Sequence, residues 1–251
     1  MHRPIRIAVL ECDTPPEKTN VKYDGYYGVF SKLLRRSAEA LGQSEQLDPD
    51  SGLEISRWDV VTEQAYPALE SVDGIVLTGA KHNAFDNTPW ILKLVEFTRT
   101  AIQNPRVKLL GVCFGHQIIA RALGAQVSRS AAGWEISVCE VSLTPAGKEL
   151  FGLDTLQIHQ MHRDIVCAYP PNIIPLGESP ICQVQGMYLP SRVITVQGHP
   201  EFSEDIAVEV VTLRGAQGLF TKDQTEDGLG RAGKPHDGVA VGMAFLKLLI
   251  Q

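Results

Sequence analysis

The sequence lacks any long run of apolar residues and any cluster of basic residues. Its 251 residues carry a formal net charge of -6, and no stretch concentrates lysine or arginine. Surfaces for nucleic acid or anionic lipid need local positive charge, so we expect no nucleic-acid partner and no membrane partner. The first apolar run, 7–10, is far shorter than a signal-peptide core or a membrane span, and we expect a cytoplasmic protein.

Cysteine is also scarce, and its spacing fits no structural site. The five cysteines are Cys12, Cys113, Cys139, Cys167 and Cys182. An odd number without metal-ligand spacing indicates neither a disulfide framework nor a zinc site, which agrees with the reducing cytosol. The sequence contains no P-loop and no dinucleotide-binding motif. We therefore expect no metal and no nucleotide cofactor.

The composition, 44% hydrophobic and 21% charged, is ordinary for a globular protein. We expect residues 1–251 to form a single domain with a sizeable core. Strand and helix patterns alternate along the first half of the chain. The strands are predicted at 7–10, 55–61, 75–77 and 109–112, and the helices at 29–41, 90–102 and after residue 113. This alternation predicts an α/β fold, a mostly parallel open sheet with helices on both faces.

The second half of the chain has a different pattern. Short alternating segments at 126–128, 137–143 and 156–162 predict a small antiparallel insertion that covers one end of the sheet. Two further helices are predicted at 203–213 and 239–250. Polar or glycine-rich composition predicts loops at 13–22 and 43–52 and a mobile loop at 221–237.

The segment 108–123, KLLGVCFGHQIIARAL, has an apolar strand pattern, then Cys113, then helical spacing. Gly111 and Gly115 lie two residues to either side of Cys113. This order is typical of a nucleophile elbow, where crowding at the turn is tolerated because the neighbouring residues lack a Cβ. A thiol at a helix N-terminus is favoured as the thiolate. Taken alone, Cys113 is equally consistent with a small buried apolar residue.

A second segment, 192–202, supplies partners for that thiol. Its sequence is RVITVQGHPEF, in which a buried strand pattern precedes His199, and Pro200 separates His199 from Glu201. Proline holds the preceding residue extended, and residues two apart in an extended chain project to the same side. An imidazole can take the thiol proton and a carboxylate can orient the imidazole. We predict a catalytic triad of Cys113, His199 and Glu201.

Three other histidines are weaker candidates for the base. His159 lacks a carboxylate two residues away, His162 ends the alternating segment predicted as part of the insertion, and His82 lies in a polar segment, 81–89, that predicts a surface loop. Tyrosines precede the helix predicted at 29–41, and we interpret them as packing residues rather than as a pocket wall.

The motifs GVCFGHQ and QGHPEF together resemble those of the class I glutamine amidotransferases, which have a Cys–His–Glu triad. In its length and in the segments YDGYYGVF and LTGAKHNAFDNTPWILKL, the chain is similar to a stand-alone branch that includes fungal amidotransferase-like proteins and plant γ-glutamyl peptidases. The resemblance implies a flavodoxin-like α/β fold and a small γ-glutamyl substrate.

The resemblance also implies an oxyanion hole, in which backbone N–H groups stabilise the charged oxygen of the tetrahedral intermediate. The donors would come from Gly79 or Ala80 and from Phe114. Many members of the family have Gly-Gly-Pro where this chain has Gly79, Ala80 and Lys81. Without the proline we expect a freer loop.

Substrate contacts are implied at two further places. Gln117 lies four residues after Cys113, on the same helix face, and its amide suits the α-amino and α-carboxylate groups of a glutamyl substrate. The loop of His162, Arg163 and Asp164 corresponds to one that covers the substrate in related amidotransferases, so these residues are candidate pocket walls.

The implied activity is that of a cysteine hydrolase that cleaves a γ-glutamyl amide or peptide bond through a glutamyl thioester at Cys113. Three alternatives remain open at this point. In the first, the substrate is glutamine, and ammonia passes to a separate synthetase or acceptor protein. In the second, the substrate is a γ-glutamyl peptide such as glutathione or a glutathione conjugate. In the third, the chain is a binding protein without turnover. The absence of a synthetase domain from the chain mildly favours the peptide.

Overall fold

A computed structural model describes residues 3–42 and 47–251, and within these ranges the chain forms eleven strands and eight α-helices. The strands are β1 (Ile5–Glu11), β2 (Leu53–Asp59), β3 (Gly74–Leu77), β4 (Lys108–Val112), β5 (Val127–Arg129), β6 (Glu135–Leu143), β7 (Thr155–His162), β8 (Asp164–Val166), β9 (Ile174–Ser179), β10 (Cys182–Leu189) and β11 (Val193–Val196). The helices are α1 (Glu17–Tyr23), α2 (Gly25–Leu41), α3 (Pro89–Gln103), α4 (Phe114–Ala122), α5 (Pro145–Phe151), α6 (Glu204–Ala216), α7 (Lys222–Ala232) and α8 (Gly238–Leu249). None of these described helices is long and apolar enough to cross a membrane.

Nine of the described strands form one twisted sheet in the order β2-β1-β3-β4-β11-β10-β9-β6-β7. The first five are parallel, and the remaining four continue the sheet with antiparallel pairings. Strands β5 and β8 pair separately. The predicted α/β fold with its parallel central sheet is therefore confirmed. Strand β2 lies at the edge, which agrees with the polar residues that interrupt it.

Helices cover both faces of the parallel strands, as predicted. Along β1, Ile7 and Val9 pack into the core that contains α2 and α8, whereas Ala8 and Leu10 pack into the core that contains α3 and α4. Alternate residues of a strand project to opposite faces, so one strand contributes to both cores. Strands β3, β4 and β11 are parallel neighbours, so their carboxyl ends lie at the same edge of the sheet, where the site lies.

The strand predicted at 55–61 is β2, two residues earlier in the chain than expected. The helices predicted at 29–41, 90–102, 203–213 and 239–250 are present as α2, α3, α6 and α8. Four residues of the polar connection predicted at 43–52, namely 43–46, lie outside the described residues.

The mobile loop predicted at 221–237 was wrong, because this segment contains α7. A capping box opens the helix: the Thr221 hydroxyl accepts from the Gln224 N–H, and the Gln224 side chain accepts from the Thr221 N–H. Gly228 lies close to Ile136 and Val211, where an added Cβ would be 2.8 Å from the isoleucine side chain. Gly228, which lowers the apparent helix propensity, thus permits close packing.

The loop predicted at 13–22 was also wrong, because it contains α1. This short helix has a single buried residue, Thr19, and no apolar periodicity. Its first turn is held from outside: the Glu209 carboxylate accepts from the N–H groups of Lys18 and Thr19 and from the Thr19 hydroxyl. A cap supplied from another helix leaves no signal in the local sequence.

The antiparallel pairing of the insertion is confirmed, but its place differs from the prediction. Strands β6 and β7 extend the far edge of the main sheet, because β6 pairs with β9 and does not fold over the sheet end. The hairpin of β9 and β10 connects them to the parallel half. Neither that hairpin nor α5 was predicted.

Candidate active site

Cys113 occupies a strained turn between β4 and α4. Its backbone has φ 51° and ψ −103°, a region that residues with a Cβ rarely adopt. An added Cβ at Gly115 would lie 2.2 Å from the Leu77 carbonyl oxygen, and one at Gly111 would lie 2.7 Å from Ile119. Both glycines flanking the turn are therefore required by its crowding, as the sequence predicted. Cys113 is largely buried but lines a cavity.

His199 and Glu201 lie directly after β11, the strand that pairs with β4. The Nδ1 atom of His199 is 2.8 Å from Oε1 of Glu201, and the Glu201 side chain is fully buried. The His199 N–H donates to the His159 carbonyl over 2.7 Å, and its ring stacks on Phe202 with a centroid distance of 4.1 Å. These contacts fix the ring, so Nε2 is the nitrogen that remains for a reacting group.

Gly79 lies next to both Cys113 and His199. A Cβ added to Gly79 would lie 2.7 Å from Cε1 of His199 and 3.7 Å from Cβ of Cys113. Burial acts to lower the pKa of His199, but the negative charge of Glu201 and that of a Cys113 thiolate outweigh it, and the pKa is raised well above its usual range. The neighbouring negative charges therefore favour the protonated imidazole.

The predicted oxyanion donors lie beside this group. Phe114 is the first residue of α4, so its N–H has no acceptor within the helix. The Gly115 N–H donates to the Thr78 carbonyl over 3.1 Å, which joins the nucleophile turn to the loop of Gly79 and Ala80. That loop is held at its end, because Asp13 accepts from both the N–H and the ammonium of Lys81. Asp13 thus restrains the loop that the sequence analysis expected to be freer.

Gln117 is buried on the nucleophile face of α4. Its amide nitrogen donates to the Asp164 carbonyl over 2.8 Å and to Oε1 of Gln197 over 3.0 Å. Both N–H bonds are used by the protein, and the amide oxygen is the atom left for a ligand in the cavity that Gln117 lines. The side chain can accept from a substrate amine, whereas the sequence also suggested that it donates.

The side chains of the predicted wall, His162, Arg163 and Asp164, have different surroundings. Nε2 of His162 lies 2.9 Å from a Glu135 carboxylate oxygen, and Asp164 accepts from Arg129 over 3.0 Å. These two side chains are occupied by protein contacts. Arg163 instead lies 4.9 Å over the Trp134 ring and lines the cavity.

Glu135, His162 and Cys182 form the cluster whose residue types could hold a metal ion. Their ligand atoms lie within 4.8 Å of one another, and all three residues are buried. The histidine and the carboxylate already pair with each other, the carboxylate also accepts from Gln185 over 2.7 Å, and burial raises the pKa of Cys182 to about 12. A protonated thiol is a poor ligand, so the donor set fits a buried histidine–carboxylate contact better than a metal.

Two cavities meet at this site. The first, of about 130 Å³, is lined by Cys113, Phe114 and Gln117. The second, of about 230 Å³, is lined by His199 and by a mainly apolar wall. That wall consists of Pro16, Tyr26, Met161, Phe202, Val210 and Leu213. Both cavities share Ala80, Lys81, Met161, Arg214 and Gln217 at their junction.

Several lining residues were missed by the sequence analysis. Trp134 and Arg129 lie in the first cavity and Arg214 lies in both, and no local motif marks any of them. Tyr26, interpreted from the sequence as a packing residue, is buried but also lines the second cavity. His82 lines the first cavity, with its ring edge against Trp90 at 5.2 Å, and lies outside the His199 and Glu201 pair.

Comparison with known proteins gives a consistent assignment along the whole chain. The family described as glutamine amidotransferase class-I matches residues 22–209. A glutamine amidotransferase-like protein of Schizosaccharomyces pombe is 33% identical over 258 residues, which cover 98% of each chain. Gamma-glutamyl peptidase 4 of Arabidopsis thaliana is 32% identical over 200 residues, which cover 75% of this chain and 72% of the relative.

A solved structure agrees in fold. A glutamine amidotransferase from Thermotoga maritima superposes with a TM-score of 0.73 over 99% of both chains, at 17% identity.

Proposed function

The chain belongs to the class I glutamine amidotransferase family, and on that premise we propose that it is a thiol hydrolase that cleaves γ-glutamyl amide bonds. One observation carries the proposal. Cys113 has a strained backbone at a strand-to-helix turn, beside a histidine that is itself bonded to a buried carboxylate. Nucleophile, base and orienting group in this order constitute the machinery of covalent acyl transfer.

In the proposed reaction, His199 takes the proton of the Cys113 thiol, and the sulfur attacks the δ-carbonyl carbon of a γ-glutamyl group. The developing oxyanion accepts hydrogen bonds from the Phe114 N–H and from the N–H of Gly79 or Ala80. His199 then donates its proton to the amine nitrogen as the C–N bond breaks, which leaves a glutamyl thioester. A water molecule, deprotonated by His199, attacks the thioester and releases glutamate.

The raised pKa of His199 supports its part in the first half of this reaction. A poor leaving group such as an amine must be protonated as it departs, and an imidazolium holds the required proton in advance. Glu201 stabilises that imidazolium and fixes the tautomer, because it accepts from Nδ1.

The size of the second cavity favours a peptide over glutamine as the substrate. The leaving amine must be on the side of His199, where the cavity measures about 230 Å³. Ammonia is about the size of water and needs only about 30 Å³. A wall that is mainly apolar suits a larger leaving group. The resemblance to gamma-glutamyl peptidase 4 of Arabidopsis thaliana supports the same choice.

The test is glutamate release from three substrates, glutamine, glutathione and a glutathione S-conjugate, with Cys113→Ala as the control. We expect release from the peptides and a loss of at least about 10³-fold in the variant, as for removal of a covalent nucleophile. Release from glutamine alone would favour a glutaminase that supplies ammonia to a separate synthetase. Release from none would favour a binding protein.

A further inference from the structure

The charged side chains around the two cavities are paired with two exceptions. Lys81 pairs with Asp13 at 2.8 Å, and Arg129 pairs with Asp164 at 3.0 Å. In the part of the chain that the structure describes, neither Arg163 nor Arg214 has a carboxylate oxygen within 4.0 Å. The cleft therefore contains two guanidinium groups without an anionic partner.

Both guanidinium groups lie against one aromatic ring. Arg163 is 4.9 Å and Arg214 is 5.0 Å from the centroid of Trp134. Both cations therefore depend on the same ring for contact. Burial lowers the pKa of Arg214, and the like charge of Arg163 acts in the same direction. A partly buried cation without an anionic partner is costly unless an anion binds to it.

The two residues differ in the cavities that they line. Arg163 lines only the cavity of Cys113, whereas Arg214, in the last turn of α6, lines that cavity and the cavity of His199. A γ-glutamyl group has one free α-carboxylate, which must be on the Cys113 side. A second anion in the cleft has to come from the leaving group.

We propose that Arg214 binds a carboxylate of the leaving amine, so that the preferred substrates are γ-glutamyl amino acids or short peptides with a free C-terminus. This proposal rests on the proposed hydrolysis and names its substrate class. The apolar wall of Tyr26, Phe202 and Val210 faces the same cavity and suits an apolar side chain on that amine. Arg163 is left for the α-carboxylate of the glutamyl group. Arg214 is thus a specificity-determining residue.

The test compares γ-glutamyl-leucine with γ-glutamyl-leucinamide, which differ only in the carboxylate of the leaving group. We expect the intact protein to release glutamate from the acid with a kcat/KM about 10- to 100-fold above that for the amide, as for loss of one charge-assisted contact. Arg214→Gln should lose this preference, chiefly through a slower reaction of the acid. Arg214→Lys should retain part of it.

Arg163→Gln is the matched variant, because it removes a guanidinium from the same tryptophan. It should slow both substrates alike, since both contain the glutamyl α-carboxylate. If Arg214→Gln slows both substrates alike, or if the intact protein does not prefer the acid, the proposal is overturned.

Failure of the hydrolysis itself is distinguishable from failure of this assignment. If neither substrate releases glutamate, the affinity of both compounds is measured for two variants. One is Cys113→Ala, and the other combines Cys113→Ala with Arg214→Gln. If Cys113→Ala binds the acid more tightly than the amide, and this difference disappears with Arg214→Gln, the carboxylate site at Arg214 is supported although the proposed hydrolysis is wrong. Equal binding of acid and amide overturns the subsite as well.

Discussion

Two buried histidines lie next to each other in this protein and have opposite protonation behaviour. His199, after β11, and His159, in β7, are joined by a hydrogen bond from the N–H of the first to the carbonyl of the second. Burial acts to lower the pKa of both. It lowers the pKa of His159 to about 3, with the nearby His236 and His199 acting in the same direction. The pKa of His199 is instead raised.

The two histidines differ in the negative charge beside them, which at His199 comes first from Glu201 and then from Cys113. Glu201 bonds to Nδ1 of His199, whereas in the described part of the chain neither ring nitrogen of His159 has a hydrogen-bond partner. Burial alone thus gives a neutral, inert imidazole, and burial beside a carboxylate gives a protonated one that can serve an acid–base reaction. Chemistry at this site depends on the residue two positions after the histidine.

The strongest way to break the comparison is Glu201→Gln, which removes the carboxylate that His159 also lacks. We expect kcat for glutamate release to fall on the order of 10³-fold, because the imidazolium loses its charge partner while its burial remains. Glu204→Gln is the matched control, since Glu204 is exposed in the first turn of α6. A loss below about 10-fold for Glu201→Gln would show that Glu201 does not orient the base.

The same variant has a pH signature in stability. The pKa of His199 is raised in the folded state, so its stabilising effect is complete below the unfolded value of about 6.5 and is lost as pH rises through the folded value. The difference in unfolding free energy between the intact protein and Glu201→Gln should therefore shrink from about pH 6 to about pH 10. Urea denaturation measures it, and a constant difference would contradict the ion pair.

Crowding at His199 provides the next largest effect. In Gly79→Ala the new methyl group would lie 2.7 Å from Cε1 of His199, so the ring must move. We expect kcat to fall about 10²-fold from misplacement of the base, with the charge of Glu201 unchanged. Gly230→Ala, in α7, is the control because an added Cβ there meets nothing within 4 Å. Similar activity in both variants would mean that the Gly79 loop yields and His199 stays in place.

The local part of the candidate site is the part that can be read from the sequence. Cys113 with its two glycines, and His199 with Glu201, are close in sequence within each motif, so pattern and spacing were enough to locate them. Helix α7 could also have been predicted, because Thr221 and Gln224 form a capping box three residues apart.

The remaining part of the site depends on tertiary contacts that leave no local pattern. Arg214 looks like an ordinary charged residue at a helix end, and Trp134 like a loop aromatic, until the fold stacks one on the other. Helix α1 is similar, because its cap comes from Glu209, far along the chain. Residues brought together from α1, α6 and the β6 region cannot be paired by spacing.

A smaller effect tests the other histidine. His159 is neutral when folded and has a pKa near 6.5 when unfolded, so the unfolded state binds more protons as pH falls from about 6.5 and the fold loses stability. His159→Phe removes this contribution of His159 to the pH dependence of stability. We expect the stability of the variant to fall less steeply on acidification, by up to about 1 kcal/mol per pH unit between pH 6 and pH 4.

His116 shares the acid sensitivity, because burial lowers its pKa to about 3 as well. Only the difference in slope between His159→Phe and the intact protein therefore reports on His159. Parallel curves of unfolding free energy against pH would show that the His159 ring is already protonated in the folded state, which contradicts the comparison.

The smallest effect is expected at Phe202, whose ring lies next to the rings of both histidines. The Phe202 ring stacks on His199 at 4.1 Å and lies 6.2 Å from the ring of His159. Phe202→Leu keeps Glu201 in place but lets the His199 ring rotate more freely, so we expect kcat to fall only about 3- to 10-fold. Phe151→Leu, a buried change in another core, controls for lost stability. A loss as large as that of Glu201→Gln would mean that stacking, and not the carboxylate, separates the two histidines.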